Sequence, residues 1–334
     1  MARDTLKCGR SNSTLSTAPA WYVAAHAGSR MKRIRTERIL LAIDGGEESG
    51  YAITQIITLA KSLRARVRLL HIWDVASAKE TWSQAESLLG RAAGAFRLEG
   101  VEADELLGVA GKGGLGRDIE SAALDWDADM VALGSLGVGD VEAVLRGSVS
   151  HEVLTQVQQP VLVLRGPPTP LVARRLLIAS GGGDEAQLAA TAALLAKHAS
   201  EAIVLHVGRV ASSMEFALIE PDERALEVAE AGAEAIRRAG ISATAEVRWG
   251  PVAYSITEAA KVFECDIIVL ASRPPSDLAA LVLGSVTHQV IQRSHLPVLV
   301  AGSSYNETPR SLLKVLAGKS EADPTAEDLT IHLG

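Results

Sequence analysis

Apolar and polar positions along this chain alternate in blocks that predict strands and helices in turn. The runs at 38–43 (RILLAI) and 67–73 (VRLLHIW) are short and apolar, which indicates buried strands. Between them, residues 47–63 place apolar side chains at helical spacing. Strands that alternate with helices are typical of parallel sheets with helices on both faces. We therefore predict an α/β fold built from doubly wound parallel sheets.

Five strands and their connecting helices are predicted in the first half of the chain. The third strand, at 101–110, alternates and is less apolar than the others, so we expect it near a sheet edge. The other strands are predicted at 38–43, 67–73, 130–134 and 161–165, and the helices at 47–63, 78–98 and 119–124. In such sheets ligands bind at the carboxyl ends of the strands, where the strand order reverses.

The second half of the chain repeats the first at a constant spacing. Pairs of identical residues separated by 137 positions are Gly147 and Gly284, Ser148 and Ser285, His151 and His288, and Pro160 and Pro297. A constant offset indicates a duplicated domain. We expect an N-terminal extension (1–36), a first domain (37–165), a linker (166–173), a second domain (174–302) and a C-terminal tail (303–334).

A glycine-rich stretch follows the fourth predicted strand of the first repeat. The apolar run at 130–133 ends in Gly134-Ser-Leu-Gly137, and after nine further residues Gly147-Ser148 opens an amphipathic segment. A helix N-terminus carries unpaired N–H groups and about half a positive charge, and glycines let the backbone approach an anion closely. The stretch therefore predicts a phosphate site.

Composition narrows the class of protein. The chain has 334 residues, of which 48% are hydrophobic, which is enough for two domains with sizeable cores. A net charge of −7 argues against nucleic acid as the main partner, and the absence of an apolar run of 18 residues predicts no membrane span. Two cysteines, Cys8 and Cys265, imply no disulfide framework and fit the cytoplasm. Met31 is an alternative start, which would make residues 1–30 an upstream extension.

The glycine spacing resembles a known family. Asp44 after the first strand, with Gly134-x-x-Gly137, nine residues and Gly147-Ser148, resembles the nucleotide-binding motif of the universal stress protein family. The resemblance covers residues 36–165 strongly and 174–302 more weakly. It implies a tandem protein with two five-stranded parallel sheets, whose first domain binds ATP, with or without Mg²⁺. It also implies that the last strands, 161–165 and 298–301, pair across a two-fold axis, as an internal pseudo-dimer or in a homodimer.

The resemblance further implies roles for individual positions. Asp44 and the backbone at Ile72 would lie beside the nucleoside, and the loop from Gly134 would surround ribose and phosphates. Arg146 could add positive charge. The complete implied site consists of Asp44, Gly45, Gly46, Ile72, Leu133, Gly134, Gly137, Arg146, Gly147, Ser148 and Val149. The implied role is regulatory, in a stress response, and any ATP hydrolysis would be slow or incidental.

The chain departs from the family pattern at several positions. Gly46 stands where the family often has Ser or Thr, which removes a hydroxyl. In the second repeat Ser180 replaces the aspartate, and Ala271 and Pro274 replace the two motif glycines. Alanine and proline restrict the backbone freedom that the loop needs, so we expect the second domain not to bind ATP in the same manner.

Other motifs support competing hypotheses. Gly111-x-Gly113-x-x-Gly116 formally matches a dinucleotide fingerprint, but we interpret it as a βα turn. The loop from Ser180 to Asp184 resembles the glycine loop of ATP pyrophosphatases, so an adenylating enzyme is one alternative. A nucleotide-free protein-interaction scaffold is another. Histidines recur at matched positions of the two repeats, which favours packing or helix-to-strand hydrogen bonds over metal binding.

Overall fold

The computed structural model describes residues 36–75, 80–134, 149–208, 210–212, 217–219, 222–271 and 284–302. The expected C-terminal tail and all but the last residue of the expected N-terminal extension lie outside these ranges. The first half contains β1 (Arg38–Ala42), α1 (Glu47–Leu63), β2 (Arg66–Trp73), α2 (Trp82–Leu98), β3 (Ala103–Val109), α3 (Leu115–Asp125), β4 (Met130–Gly134), α4 (Val149–Gln156) and β5 (Val161–Leu164). The second half contains β6 (Arg175–Ser180), α5 (Glu185–Ala193), β7 (Glu201–Gly208), β8 (Val210–Ser212), β9 (Ala217–Ile219), α6 (Asp222–Arg238), β10 (Ser242–Trp249), α7 (Val252–Val262), β11 (Ile267–Leu270), α8 (Ser285–Arg293) and β12 (Val298–Val300).

Ten of these strands form one sheet, in the order β10-β7-β6-β11-β12-β5-β4-β1-β2-β3. Each half contributes five parallel strands, and the halves meet where β5 and β12 pair antiparallel, with Leu162 opposite Leu299. This confirms the predicted α/β fold of two doubly wound five-stranded units, and the expected pairing of the last strands joins the units into one sheet. The weakly apolar β3 lies at an edge, as predicted.

Both faces of the sheet are covered by helices. Along β1 the side chains of Ile39 and Leu41 enter one hydrophobic core, whereas Leu40 enters the core on the opposite face. Helices α1, α2, α5 and α6 contribute to the first core, and α3, α4, α7 and α8 to the second. A strand buried on both faces reads as a continuous apolar run, which is the pattern that predicted these strands. Each core contains residues from both halves of the chain, so the halves are not packed independently.

Hydrogen bonds repeat at the 137-residue spacing. The Asp129 carboxylate accepts the backbone N–H groups of Glu37 and Arg38 at 2.8 and 3.0 Å. In the second half Asp266 accepts the two N–H groups at positions 174 and 175, both at 2.8 Å. Burial raises the pKa of Asp129, and the two backbone hydrogen bonds oppose that shift. The two halves therefore repeat the same arrangement of strands and of these hydrogen bonds.

Polar contacts also join the halves. The amide nitrogen of Gln55 on α1 donates to the carbonyl oxygens of Arg165 and Pro167, at 2.9 and 3.1 Å. Gln187 on α5 donates to the carbonyl of Gly302 at 3.2 Å, and Gly302 lies 137 positions after Arg165. Each half thus uses a glutamine of its first helix to hold the chain that leaves its last strand.

Three local details differ from the sequence prediction or extend it. The helix expected at 78–98 begins at Trp82, because Thr81 and Gln84 form a capping box there. The short helix expected at 119–124 extends over Leu115–Asp125. The antiparallel hairpin β8–β9 after β7 was not anticipated. Across the described ranges, none of the helices combines the length and apolarity that crossing a membrane requires.

Candidate functional site

The strand order reverses between β1 and β4. From β1 the chain continues to β2 and β3 on one side, whereas β4 and β5 lie on its other side. Ala42 pairs with Leu133, so Asp44 and Gly134, which follow them, reach the same carboxyl edge. Ligands of open parallel sheets bind in the crevice at such a reversal.

A short turn holds Asp44 at this edge. The exposed carboxylate accepts the N–H of Gly46 at 2.9 Å and the hydroxyl of Ser49 at 2.6 Å, both through Oδ1. Ser49, which is 5% exposed, in turn accepts the N–H of Asp44 at 3.0 Å. The sequence prediction had noted the hydroxyl lost at position 46 and had missed the one supplied by Ser49.

The two glycines of this turn differ in their conformational needs. Gly45 has φ +82°, and a Cβ there would lie 3.1 Å from a methyl group of Leu88 on α2. Gly46 is the N-cap of α1 in extended backbone, which any residue adopts, and it makes no side-chain cap. Gly45 is therefore required by geometry, whereas Gly46 is not.

The end of β2 is tied to the start of α2. Ile72 is half-buried and pairs with Gly108 on β3. Its neighbour His71 places Nδ1 2.8 Å from the carbonyl oxygen of Ile43 and Nε2 2.5 Å from the carboxylate of Glu80. In the second half Nδ1 of the matched histidine lies 2.9 Å from the carbonyl oxygen at the end of β6. These contacts favour the hydrogen-bonding role predicted for both histidines.

The remaining predicted site residues belong to β4 and to the stretch after it. Leu133 is buried and Gly134 is half-buried at the end of that strand. Val149 is the first residue of α4. Four others, namely Gly137, Arg146, Gly147 and Ser148, lie outside the described residues.

A half-buried arginine follows β5 at the same edge. Leu164 pairs with Gly134, and Arg165 is the next residue. Burial lowers the pKa of the Arg165 guanidinium, which nevertheless stays protonated at neutral pH. A positive charge therefore lies one residue beyond the strand position opposite Gly134.

The equivalent turn of the second half is filled by its own carboxylates. Asp184 accepts the N–H of Gly181 at 3.1 Å and the hydroxyl of Ser180 at 3.1 Å. Glu185 accepts the N–H of Gly183 at 2.8 Å. Because carboxylates already occupy these amides, a triphosphate would meet negative charge there. These contacts weigh against the pyrophosphatase hypothesis for this loop.

The Gly111–Gly116 segment packs one helix against another. The Gly111 N–H donates to Asp118 at 2.9 Å, and the Gly116 N–H donates to the Glu152 carboxylate at 3.2 Å. A Cβ at Gly116 would lie 2.9 Å from the backbone of Glu152 on α4. The contacts favour the βα-turn interpretation, since a side chain of the protein already occupies the start of α3.

No group of three or more His, Cys, Asp or Glu side chains within the described ranges is placed to hold a metal ion. The thiol of Cys265 is buried before β11, and burial raises its pKa to about 12. A thiol that stays protonated is a poor nucleophile and metal ligand.

Known proteins match the chain at the level of sequence and of fold. A curated relative, the universal stress protein YxiE of Bacillus subtilis (strain 168), is 33% identical over 143 residues, which cover 38% of this chain and 97% of the relative. The crystal structure of a universal stress protein from Archaeoglobus fulgidus DSM 4304 has a TM-score of 0.64 and 21% identity, and the match covers 82% of this chain and 98% of that one. A functionally unknown Pseudomonas aeruginosa PAO1 protein matches with a TM-score of 0.57 and 16% identity, over 89% of this chain and 99% of its own.

The two structural matches show the fold alone, because their identities are low. The family assignment comes from the sequence. The model of the universal stress protein family matches residues 35–165 and again residues 173–302, which together are most of the chain. The chain belongs to the universal stress protein family, and it contains the family's domain twice in tandem.

Proposed function

We propose that the first domain binds ATP at the β1–β4 edge and that its occupancy serves a regulatory role in a stress response. The observation that supports this most is the convergence of Asp44 and Gly134 at the reversal of strand order. This edge leads directly into the glycine sequence that resembles the family's nucleotide motif. The role is one of binding, with any hydrolysis slow.

In this proposal each part of the edge contacts a different part of the nucleotide. Asp44 and the backbone at Ile72 lie beside the nucleoside, and Leu133, Gly134 and Gly137 surround ribose and phosphates. The phosphates are held by the N-terminal turn of α4, with Gly147, Ser148 and Val149 as donors and Arg146 as a positive charge. The phosphates would hold any Mg²⁺, which prefers oxygen ligands and retains several waters.

The second domain does not bind ATP in this proposal. Its turn presents the carboxylates of Asp184 and Glu185 to the amides that a phosphate would need. We propose domain bounds of 37–165 and 174–302, an internal pseudo-dimer about the β5–β12 pair, and a cytoplasmic location. A homodimer of the whole chain is a further expectation.

Calorimetric titration with ATP, with and without Mg²⁺, tests the proposal. The site variant is Gly147→Val, and the matched control is Gly284→Val, at the equivalent position 137 residues later. Gly284 has φ −57°, and a Cβ there would meet nothing closer than 3.8 Å, so the second-half variant is expected to fold. Binding should be lost in Gly147→Val and kept in Gly284→Val.

Other outcomes identify the alternatives. Binding that survives Gly147→Val but not Gly284→Val would place the nucleotide in the second domain and refute the proposal. A wild-type protein that releases no heat with ATP would favour the scaffold hypothesis. Release of pyrophosphate on incubation with ATP, measured by a coupled phosphate assay, would favour an adenylating enzyme.

A further inference from the structure

A reciprocal pair of hydrogen bonds joins Ser49 to Asp44. The Ser49 hydroxyl accepts the Asp44 N–H at 3.0 Å and donates its proton to Asp44 Oδ1 at 2.6 Å. A serine hydroxyl donates its one proton and accepts through its lone pairs, so it can accept the Asp44 N–H and donate to the Asp44 carboxylate at the same time. Since Ser49 is 5% exposed, water competes poorly for either bond.

These bonds leave the Asp44 carboxylate with a defined orientation. Oδ1 receives both the Ser49 hydroxyl and the Gly46 N–H, at 2.6 and 2.9 Å. Two donors on one oxygen oppose rotation of the carboxylate, while the residue itself remains exposed at the sheet edge. An ionised carboxylate is only an acceptor and repels phosphate, so the ligand group that it recognises must be a hydrogen-bond donor.

We propose that Ser49 is a positioning residue that holds Asp44 to accept a hydrogen bond from a donor on the nucleoside. The ribose hydroxyls and the exocyclic amine of adenine are the two sources of such a donor. The inference rests on the proposed binding of ATP at this edge. It adds Ser49 to the residues of the site and predicts which nucleotides bind well. A nucleotide that lacks the donor should bind more weakly, because binding removes water from the fixed Asp44 carboxylate and leaves it without a hydrogen-bond partner in exchange.

The second half also pairs a hydroxyl with a carboxylate in this turn, but at other positions. There the hydroxyl, Ser180, ends the strand and is 4% exposed, and the carboxylate, Asp184, begins the helix. Ala179 pairs with Leu270 as Ala42 pairs with Leu133, so the position that corresponds to Asp44 is Gly181, not Ser180 as the sequence suggested. That position offers no carboxylate to a nucleoside. Ser180→Ala removes an equally buried hydroxyl from an equivalent turn, which makes it a matched control for Ser49→Ala.

The experiment compares dissociation constants for ATP, 2′,3′-dideoxy-ATP and ITP in four proteins. The proteins are the wild type, Ser49→Ala, Ser49→Thr and Ser180→Ala, each with its thermal midpoint measured without ligand. We expect the wild type to bind one of the two analogues about tenfold more weakly than ATP, since a hydrogen bond to a charged group is of that order. The ratio of the dissociation constant for that analogue to the one for ATP should fall to within about twofold of unity in Ser49→Ala. In Ser180→Ala the same ratio should stay at its wild-type value.

The ratio of the dissociation constants for analogue and ATP distinguishes a role of Ser49 in positioning Asp44 from a general loss of folding. Ser49→Thr keeps a hydroxyl and should retain the ratio, whatever its thermal midpoint. If Ser49→Ala weakens all three nucleotides by one factor, Ser49 is merely structural and the inference fails. It also fails if the wild type binds all three nucleotides equally. A wild type that binds none of them overturns the proposed function itself.

Discussion

Each of the two hydrophobic cores contains residues from both halves of the chain. We therefore predict that the halves unfold as one cooperative unit. Leu299, at the centre of β12, is fully buried and faces Leu162 across the antiparallel pair that joins the halves. Truncation to alanine removes its contacts and leaves a cavity at the seam. Fully buried Leu→Ala substitutions cost roughly 2–5 kcal/mol, and we expect about 3 kcal/mol for Leu299→Ala because packed strands leave little room for collapse.

This loss should be visible in both halves at once. For one cooperative unit that spans both halves, about 3 kcal/mol lowers the thermal midpoint by roughly 5–6 °C. In a Trp249→Phe background every remaining tryptophan lies in the first half, so fluorescence reports on that half while circular dichroism reports on both. Although the substitution is in the second half, both signals should shift together.

The control is a second Leu→Ala change with the same chemistry and no burial. Leu226 on α6 is 55% exposed, and its truncation should change stability by no more than about 0.5 kcal/mol. Two separate transitions, with the first-half fluorescence midpoint unchanged in Leu299→Ala, would show that the halves fold independently. That result would refute the argument from shared cores.

Three further predictions concern single positions. Gly45→Ala forces a side chain into left-handed backbone and should cost about 1–2 kcal/mol; a midpoint equal to the wild type in urea titration would contradict this. Gly116→Ala pushes a methyl group against the α4 backbone and should cost about 1–3 kcal/mol in the same assay, unless α3 moves freely. The Cys265 thiol, with its pKa raised to about 12, stays protonated at pH 8 and should react with a disulfide reagent only after denaturation, as tested in a Cys8→Ser background; rapid labelling of the folded protein would contradict its burial.

The sequence was sufficient to predict the strands and the duplication, because both follow from periodic patterns in the sequence. Continuous apolar runs identified the strands, and the 137-residue offset identified the duplication that the matching contacts of Asp129 and Asp266 repeat. The weak alternation at 101–110 correctly indicated an edge strand. These features are local in sequence, or they repeat in it, which is why pattern alone reveals them.

Other features depended on contacts that no pattern encodes. A serine in the first turn of a helix reads as an ordinary polar residue, so nothing distinguished Ser49 as the buried partner of Asp44. The start of α2 was misplaced because the capping residue, Thr81, follows polar residues that continue the helical pattern. The glycines from 111 to 116 were interpreted as a βα turn, but no pattern indicated that the partner of Gly116 is a carboxylate 36 residues away.

The two halves share one strand order but differ in where the turn after the first strand carries its carboxylate and its hydroxyl. At the first strand end the carboxylate of Asp44 is exposed and its hydroxyl partner is buried. In the second half the matching position is Gly181, which has no side chain, and the carboxylate of that turn belongs to Asp184 instead. Since the strand order is the same in both halves, we attribute the proposed difference in nucleotide binding to loop residues, namely this turn and the motif glycines that Ala271 and Pro274 replace. Duplication thus preserved the carboxyl edge of the sheet, and changes in the loop residues altered the groups that this edge offers to a ligand.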